Sequence, residues 1–451
     1  MWEVFIVKKR VGSTVLSCLL WGSGQFFIGR QRTKGFLFFL AQVLFFGIEF
    51  QSGYWANYFA GDITDFQIRL HGGFFTKGLW GLFTLGTVPG VHGDHSTMLL
   101  INGIIALIGF LIFLAIYVWN VTDAFHTGKA IDESGTFTTS KEYGKGLYKS
   151  MFPYLVLAPV AIIMLFIVVM PIIFSVLTAF TNYDINHLPP ASLVNWVGFQ
   201  NFAKIINVPI WTQTFLSVLL WTVVWAVVAT FSSYFLGLFQ ALILNSKCVK
   251  HRSFYRSIFI LPWAIPAMIS LLMFRNLLNG QFGPLNQFLL DCGLTSSRIP
   301  FLTDPTLAKV SILLVNLWLG FPSFMLMLEG VLSNQDASLY EAARIDGASA
   351  VQIFFNIKLP LLMKATAPLI VMSLAFNFNS FGSIYFLTGG GPADSSYQFA
   401  GDTDILISWI YKLTLNQKMY SMAAIMSLLI FIFIGIVSYW NFKRTTSFKE
   451  M

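Results

Sequence analysis

The sequence predicts an all-α, polytopic membrane protein of about eight transmembrane helices, and two observations carry that reading. Of 451 residues, 56% are hydrophobic and 11% charged, with a mean hydropathy of +0.70. Burial in lipid accounts for that balance better than a water-soluble core does. Apolar runs long enough to cross a hydrocarbon layer of ~30 Å, which takes about 20 helical residues, recur at 33–50, 98–120, 152–181, 211–245, 254–279, 307–333, 363–388 and 421–442.

Taken in order, residues 12–29 are apolar but short, and Gly22-Ser23-Gly24-Gln25 interrupts them. They read as a re-entrant or interfacial hairpin and not as a ninth span. No small-residue cleavage site follows Lys8-Lys9-Arg10, so the N-terminal segment is expected to stay on the chain. Residues 1–131 thus form N-terminal membrane segments, 132–151 a polar cytoplasmic linker, and 152–445 a six-span core. Prolines at 159, 171, 262, 266, 322 and 368 fall inside the core spans, where helices that pack together or line a cavity tolerate them.

The formal charge is +8, and its distribution is that of membrane topology, with no patch suited to nucleic acid. With both termini cytoplasmic, the inner segments hold 20 Lys and Arg against 6 in the outer ones. That bias predicts a multi-pass membrane protein with both ends cytoplasmic. Cys18, Cys248 and Cys292 are scattered and odd in number, which argues against a disulfide framework or a metal site. His92-Gly-Asp-His95 offers too few ligands for a metal, and no nucleophile or acid–base constellation appears. The chain is not expected to be an enzyme.

Between two core spans lies YEAARIDGASAVQIFFNIKLP, 340–360, within a polar segment 334–362. Asn334 or Asp336 can cap a helix running to Ile345, Gly347 can end it left-handed, and Ser349 can cap a second helix that stops before Pro360. The spacing of Glu341-Ala342-Ala343, Gly347, Ile357 and Leu359-Pro360 resembles the EAA motif of binding-protein-dependent ABC importer permeases at every defined position. The resemblance implies that Glu341, Ala342, Ala343 and Gly347 dock on an ATPase subunit. It also implies a second permease subunit, two copies of the ATPase and an extracellular sugar-binding protein as partners. No G-x-x-x-x-G-K-[ST] occurs, so ATP and magnesium are expected on the partner ATPase and no cofactor on this chain.

The next span carries SLAFNFNSFGSIYFLTGGGP, 373–392. On a continuous helix Ser373, Phe376, Asn377, Ser380 and Ile384 share a face. Such groups at membrane depth need partners, which neighbouring helices or a polar substrate can supply; a sugar would use amides for its hydroxyls and an aromatic plate for its C–H faces. AFNFN, Phe381 and LTGGGP, with LWLGFP at 317–322 and LPWAIPAMIS at 261–270, resemble the maltose and maltodextrin permeases, similar to the larger membrane subunit of the enteric maltose importer. The resemblance implies sugar contacts at Gly320, Ser323, Phe376, Asn377 and Ser380. Ser323 and Ser380 depart from that subunit's residues, and the short 182–210 loop is of the Gram-positive type. Arg275 and Glu329 read as charges snorkelling at span ends, and Gly389-Gly390-Gly391-Pro392 as a flexible exit. The reading is therefore an alternating-access permease subunit of an ATP-driven importer of maltose or maltodextrins. The alternatives are a permease for another oligosaccharide and an ion-coupled secondary sugar transporter, which would need more charge inside its spans.

Overall fold

Long runs of Leu, Ile, Val and Phe without polar breaks favour helices that satisfy every backbone group within themselves, as lipid requires. The computed structural model describes residues 8–51, 72–90, 93–135, 140–246 and 249–444; they are helical, with isolated β-bridges and no strand. The chain separates into two units, Met1–Gly198 and Phe199–Met451.

The first unit holds α1 (Lys9–Leu19), α2 (Arg32–Gln51), α3 (Phe74–Thr84), α4 (Ser96–Ser134), α5 (Ser140–Met164) and α6 (Met170–Thr178). Between α1 and α2, Gly22 adopts φ +80°, a conformation that glycine takes at no steric cost. Around this turn a polar network replaces apolar packing. Ser17 Oγ donates to Gln25 Oε1 (2.8 Å), Gln25 Nε2 to the Asn120 carbonyl (2.8 Å), and Gly22 N–H to Asn120 Oδ1 (2.9 Å). Lys34 and Asp123, nearly buried, form an ion pair at 2.5 Å. His92 lies outside the described residues. The rest of that loop is engaged elsewhere: Asp94 accepts from the Thr87 and Val88 N–H groups, and His95 Nδ1 bonds the Thr97 hydroxyl. No metal-ligating cluster occurs among the described residues.

The second unit holds α7 (Gln200–Asn207), α8 (Pro209–Asn245), α9 (Arg252–Ala264), α10 (Ala267–Leu277), α11 (Pro284–Asp291), α12 (Pro305–Ser333), α13 (Ala337–Ile345), α14 (Ala350–Phe378), α15 (Phe381–Leu387), α16 (Leu406–Tyr411) and α17 (Tyr420–Arg444). Its centre is the crossing of α8 and α12, where Tyr234, Leu238, Phe324, Met325 and Leu328 form a buried cluster. Glycines set the closeness of that crossing: a Cβ at Gly237 would lie 2.8 Å from the Met325 nitrogen and 2.9 Å from the Phe321 carbonyl. Between lipid-embedded helices, such backbone approach supplies the packing that hydrophobicity cannot.

Six described helices are long and apolar enough to cross a membrane, or seven if α9 and α10 count as one. The expected span 254–279 is these two helices, bent by 85°. The break follows from Pro262 and Pro266, which remove backbone donors on either side of Ile265. The expected last span, 421–442, lies within the 25-residue helix α17. Expected span 363–388 also breaks: α14 ends at Phe378 and α15 begins at Phe381.

The Gly389–Pro392 segment is a packed turn and not a loose exit. The Thr403 hydroxyl donates to the Gly391 carbonyl (2.5 Å), and a Cβ at Gly390 would overlap Asp404 Oδ1. Asp404 is fully buried, accepting from Gly401 N–H (2.7 Å), Ser408 Oγ (2.7 Å) and Lys412 Nζ (2.5 Å). Burial pushes its carboxyl pKa upward against the pull of the Lys412 ammonium. Lys412→Met is expected to strand that carboxylate and cost about 3 kcal/mol. The double variant Asp404→Asn/Lys412→Met should melt closer to wild type than the single one, as measured by thermal unfolding of the purified assembly; equal losses would count against the pair.

Candidate functional site

Gly320, Ser323, Phe376, Asn377 and Ser380, which the sequence reading joins, line one cavity of about 580 Å³ in the second unit. α12 supplies the first two, α14 the next two, and the α14–α15 joint the last. Ser373 lines it as well, whereas Ile384 is buried elsewhere, against Trp225 and Leu387. The shared helical face therefore ends at Phe378. Beyond it, Asn379 and Ser380 leave the helix, and the turn brings Ser380 back to the cavity by another route.

Phe376 is 74% exposed, a ring face available for apolar contact. Asn377 is buried: its Nδ2 donates to Thr230 Oγ1 on α8 (2.8 Å), and its carbonyl accepts from Trp225 Nε1 (3.0 Å). One half of its amide thus ties α14 to α8, so interhelical bonding and cavity lining coexist in this side chain. Ser323 Oγ donates to the Gly320 carbonyl (2.7 Å), and Ser380 and Ser383 share a hydroxyl contact at 2.9 Å. The sequence reading did not single out Ser233, Trp263, Asn316 or Asn379, which also line the cavity. Asn316 carried a usable signal, since it is an amide one helical turn before Gly320 in a mostly apolar span. No charged side chain is among the described residues of this lining. Amides, hydroxyls and aromatic planes without charge suit a neutral polyhydroxy ligand.

The second predicted element is the turn after α12. Asp336 caps α13, and the N–H and hydroxyl of Ser338 hold its carboxyl below the usual range. Gly347 takes φ +80°, and Ser349 with Gln352 forms a capping box that opens α14. Glu341, Ala342 and Gly347 are exposed and Ala343 is buried. A Cβ at Gly347 would meet nothing within 4 Å, so the backbone, not space, requires glycine there. The helix after the turn does not stop before Pro360 as expected. It continues to Phe378 through a wider, π-type turn at Phe354–Lys358, where Leu359 N–H reaches back to the Phe354 carbonyl. That turn absorbs the missing proline donor. Burial pushes the Tyr340 hydroxyl pKa up, and the Lys358 ammonium sits 5.5 Å from its ring centroid, joining α13 to α14. Glu329 does not snorkel: Arg256 grips it bidentately at 3.0 and 2.8 Å.

Comparison with known proteins decides the family. The model of the binding-protein-dependent transport system inner membrane component matches residues 233–447. The galactooligosaccharides transport system permease protein of Bacillus subtilis is 42% identical over 436 residues, 97% of this chain and 98% of that one. This chain belongs to the family of binding-protein-dependent transport system inner membrane components. The maltodextrin transport system permease protein of Bacillus subtilis is 41% identical over 387 residues, covering 83% and 87% of the two chains. The crystal structure of a bacterial ABC transporter that imports alginate contains a chain sharing the fold, with a TM-score of 0.53 at 22% identity, over 67% of this chain and 97% of that one. The permease is accordingly a multi-pass membrane subunit of an ATP-driven importer and not an enzyme; the family implies a partner permease and a separate ATPase.

Because Asn377 faces both a helix and the cavity, its two roles separate by mutation. Thr230→Val is expected to cost about 1 kcal/mol of stability and to leave uptake within a few-fold of wild type. Asn377→Leu should incur that loss and also depress uptake more than tenfold. Thermal unfolding and vesicle uptake, compared for the two variants, check this; equal uptake would make Asn377 interhelical glue alone.

Proposed function

We propose that the permease carries neutral oligosaccharides, maltodextrins first among them, through the cavity lined by Gly320, Ser323, Phe376, Asn377 and Ser380. The convergence of these five positions on one uncharged cavity is the observation that carries the reading. Phe376 offers a stacking plate, and the amide and hydroxyls offer partners to sugar hydroxyls. A second reading, galactooligosaccharides, is favoured by the 42% identity to a permease of that name, against 41% for the maltodextrin permease. Residues 152–445 form the six-span permease core in this proposal. One of two ATPase copies engages Glu341, Ala342, Ala343 and Gly347 from the cytoplasm, the other serves a second permease subunit, and an extracellular binding protein delivers the sugar. Closure of the ATPase pair moves the Gly347 turn and switches the cavity between the two sides of the membrane.

Reconstituted with its partners, the permease is expected to take up maltotriose in preference to a galactose trisaccharide. The reverse preference would transfer the assignment to galactooligosaccharides, and uptake of neither would overturn the sugar reading. In the same vesicles Gly347→Asn, which tolerates positive φ, should keep most uptake. Gly347→Trp should reach the membrane yet transport nothing; normal uptake with tryptophan there rules out the docking role.

Orientation is proposed from the charge bias, with both termini cytoplasmic. A membrane-impermeant thiol reagent applied to intact cells should label a cysteine introduced at Ser396 but not one introduced at Lys129, in a cysteine-free background. The opposite pattern would reverse the topology.

A further inference from the structure

Ser233 sits in the interior of α8, 2% exposed, and lines the cavity with no hydrogen-bond partner for its hydroxyl among the described residues. Its neighbour Ser232 does what serines in helix interiors commonly do, donating back to the Ala229 carbonyl (3.3 Å). Ser233 does not. Facing it is Gly320 of α12, where a Cβ would stand 2.7 Å from Ser233 Oγ and 3.3 Å from its Cβ. The bare glycine leaves room for this hydroxyl at the point where α12 borders the cavity. The crossing cannot close further to bring another partner within reach, because one turn along Gly237 already lies against the backbone of Phe321 and Met325. Packing alone would be served by alanine, which fills the same notch and carries no polar atom to leave unsatisfied.

We propose that Ser233 is a further contact for the transported carbohydrate, its hydroxyl exchanging a hydrogen bond with a sugar hydroxyl held beside Gly320. The inference rests on the reading of this cavity as the sugar path. It adds α8 to the binding walls, and it makes the Ser233–Gly320 pair a single device, in which the glycine exists for the serine. A neutral polyol suits the site, since the hydroxyl can donate or accept as the ligand requires.

The complete complex, arrested with ADP and vanadate, is titrated with radiolabelled maltotriose, comparing wild type, Ser233→Ala and Phe376→Ala, with the melting midpoint of each recorded. Ser233→Ala is expected to weaken retention about three- to tenfold, the loss of one neutral hydrogen bond, with an unchanged or higher melting midpoint. Unchanged retention in Ser233→Ala, while Phe376→Ala weakens, would overturn the role of Ser233 and leave the cavity assignment standing. Unchanged retention in both would overturn the cavity assignment and this inference with it. A lower melting midpoint for Ser233→Ala with normal retention would show a structural residue and also overturn the proposal.

Discussion

Where α8 crosses α12, two glycines let the helices approach until backbone meets side chain, and most of the second unit is arranged around that approach. Gly237 admits Phe324 and Met325 to the crossing, and Gly320 admits Ser233. With the helices held there, Trp225 and Thr230 of α8 stand at the right depth to bond Asn377, while Tyr234 reaches Thr366 farther along α14 at 3.1 Å. A larger residue at either notch would push α12 outward, and the polar contacts from α8 to α14 would lose their common reference. In a membrane, where lipid competes equally for apolar surface, such steric fit and hydrogen bonding carry the association of helices.

Most polar groups inside the described spans are shared between elements, Ser233 being an exception. Asn377 divides its groups between α8 and the cavity edge, Glu329 accepts from two of the three guanidinium nitrogens of Arg256, and Lys34 pairs with Asp123. Such pairing keeps charge in the spans without an unmet group. No charged side chain is among the described residues that line the cavity.

Much of the architecture was legible because its causes are local. Apolar runs of helical length became helices, and Gly347 with Ser349 announced a left-handed turn followed by a cap, which needs only neighbouring residues to form. What was not legible depends on residues far apart or on compensation. Lys34 and Asp123 lie 89 positions apart, and neither has a local pattern that names the other. Pro360 looked like a helix end, yet a π-type turn before it removes the conflict. The joint at Asn379 was hidden because Ser373 to Ile384 keeps helical spacing across it; its cause is the tertiary bonding of the Asn377 carbonyl to Trp225. The five cavity positions were named through resemblance, and spacing alone would have placed Ile384 with them.

The continuity of α14 past Pro360 has a mechanical consequence. Gly347 adjoins one end of this helix, while Phe376 and Asn377 occupy the other. With 29 residues at 1.5 Å each, the rod is about 43 Å long. Tilting such a rod by about 5° about one end displaces the other by roughly 4 Å, comparable to a substantial part of an aromatic ring. Displacement at the turn would therefore reach the cavity as leverage along a single element, with no relay of side chains between them. The compliance of that lever is set by the two places in the rod where hydrogen bonding departs from the regular helix, the wide turn at Phe354–Lys358 and Pro368, which has no N–H to donate.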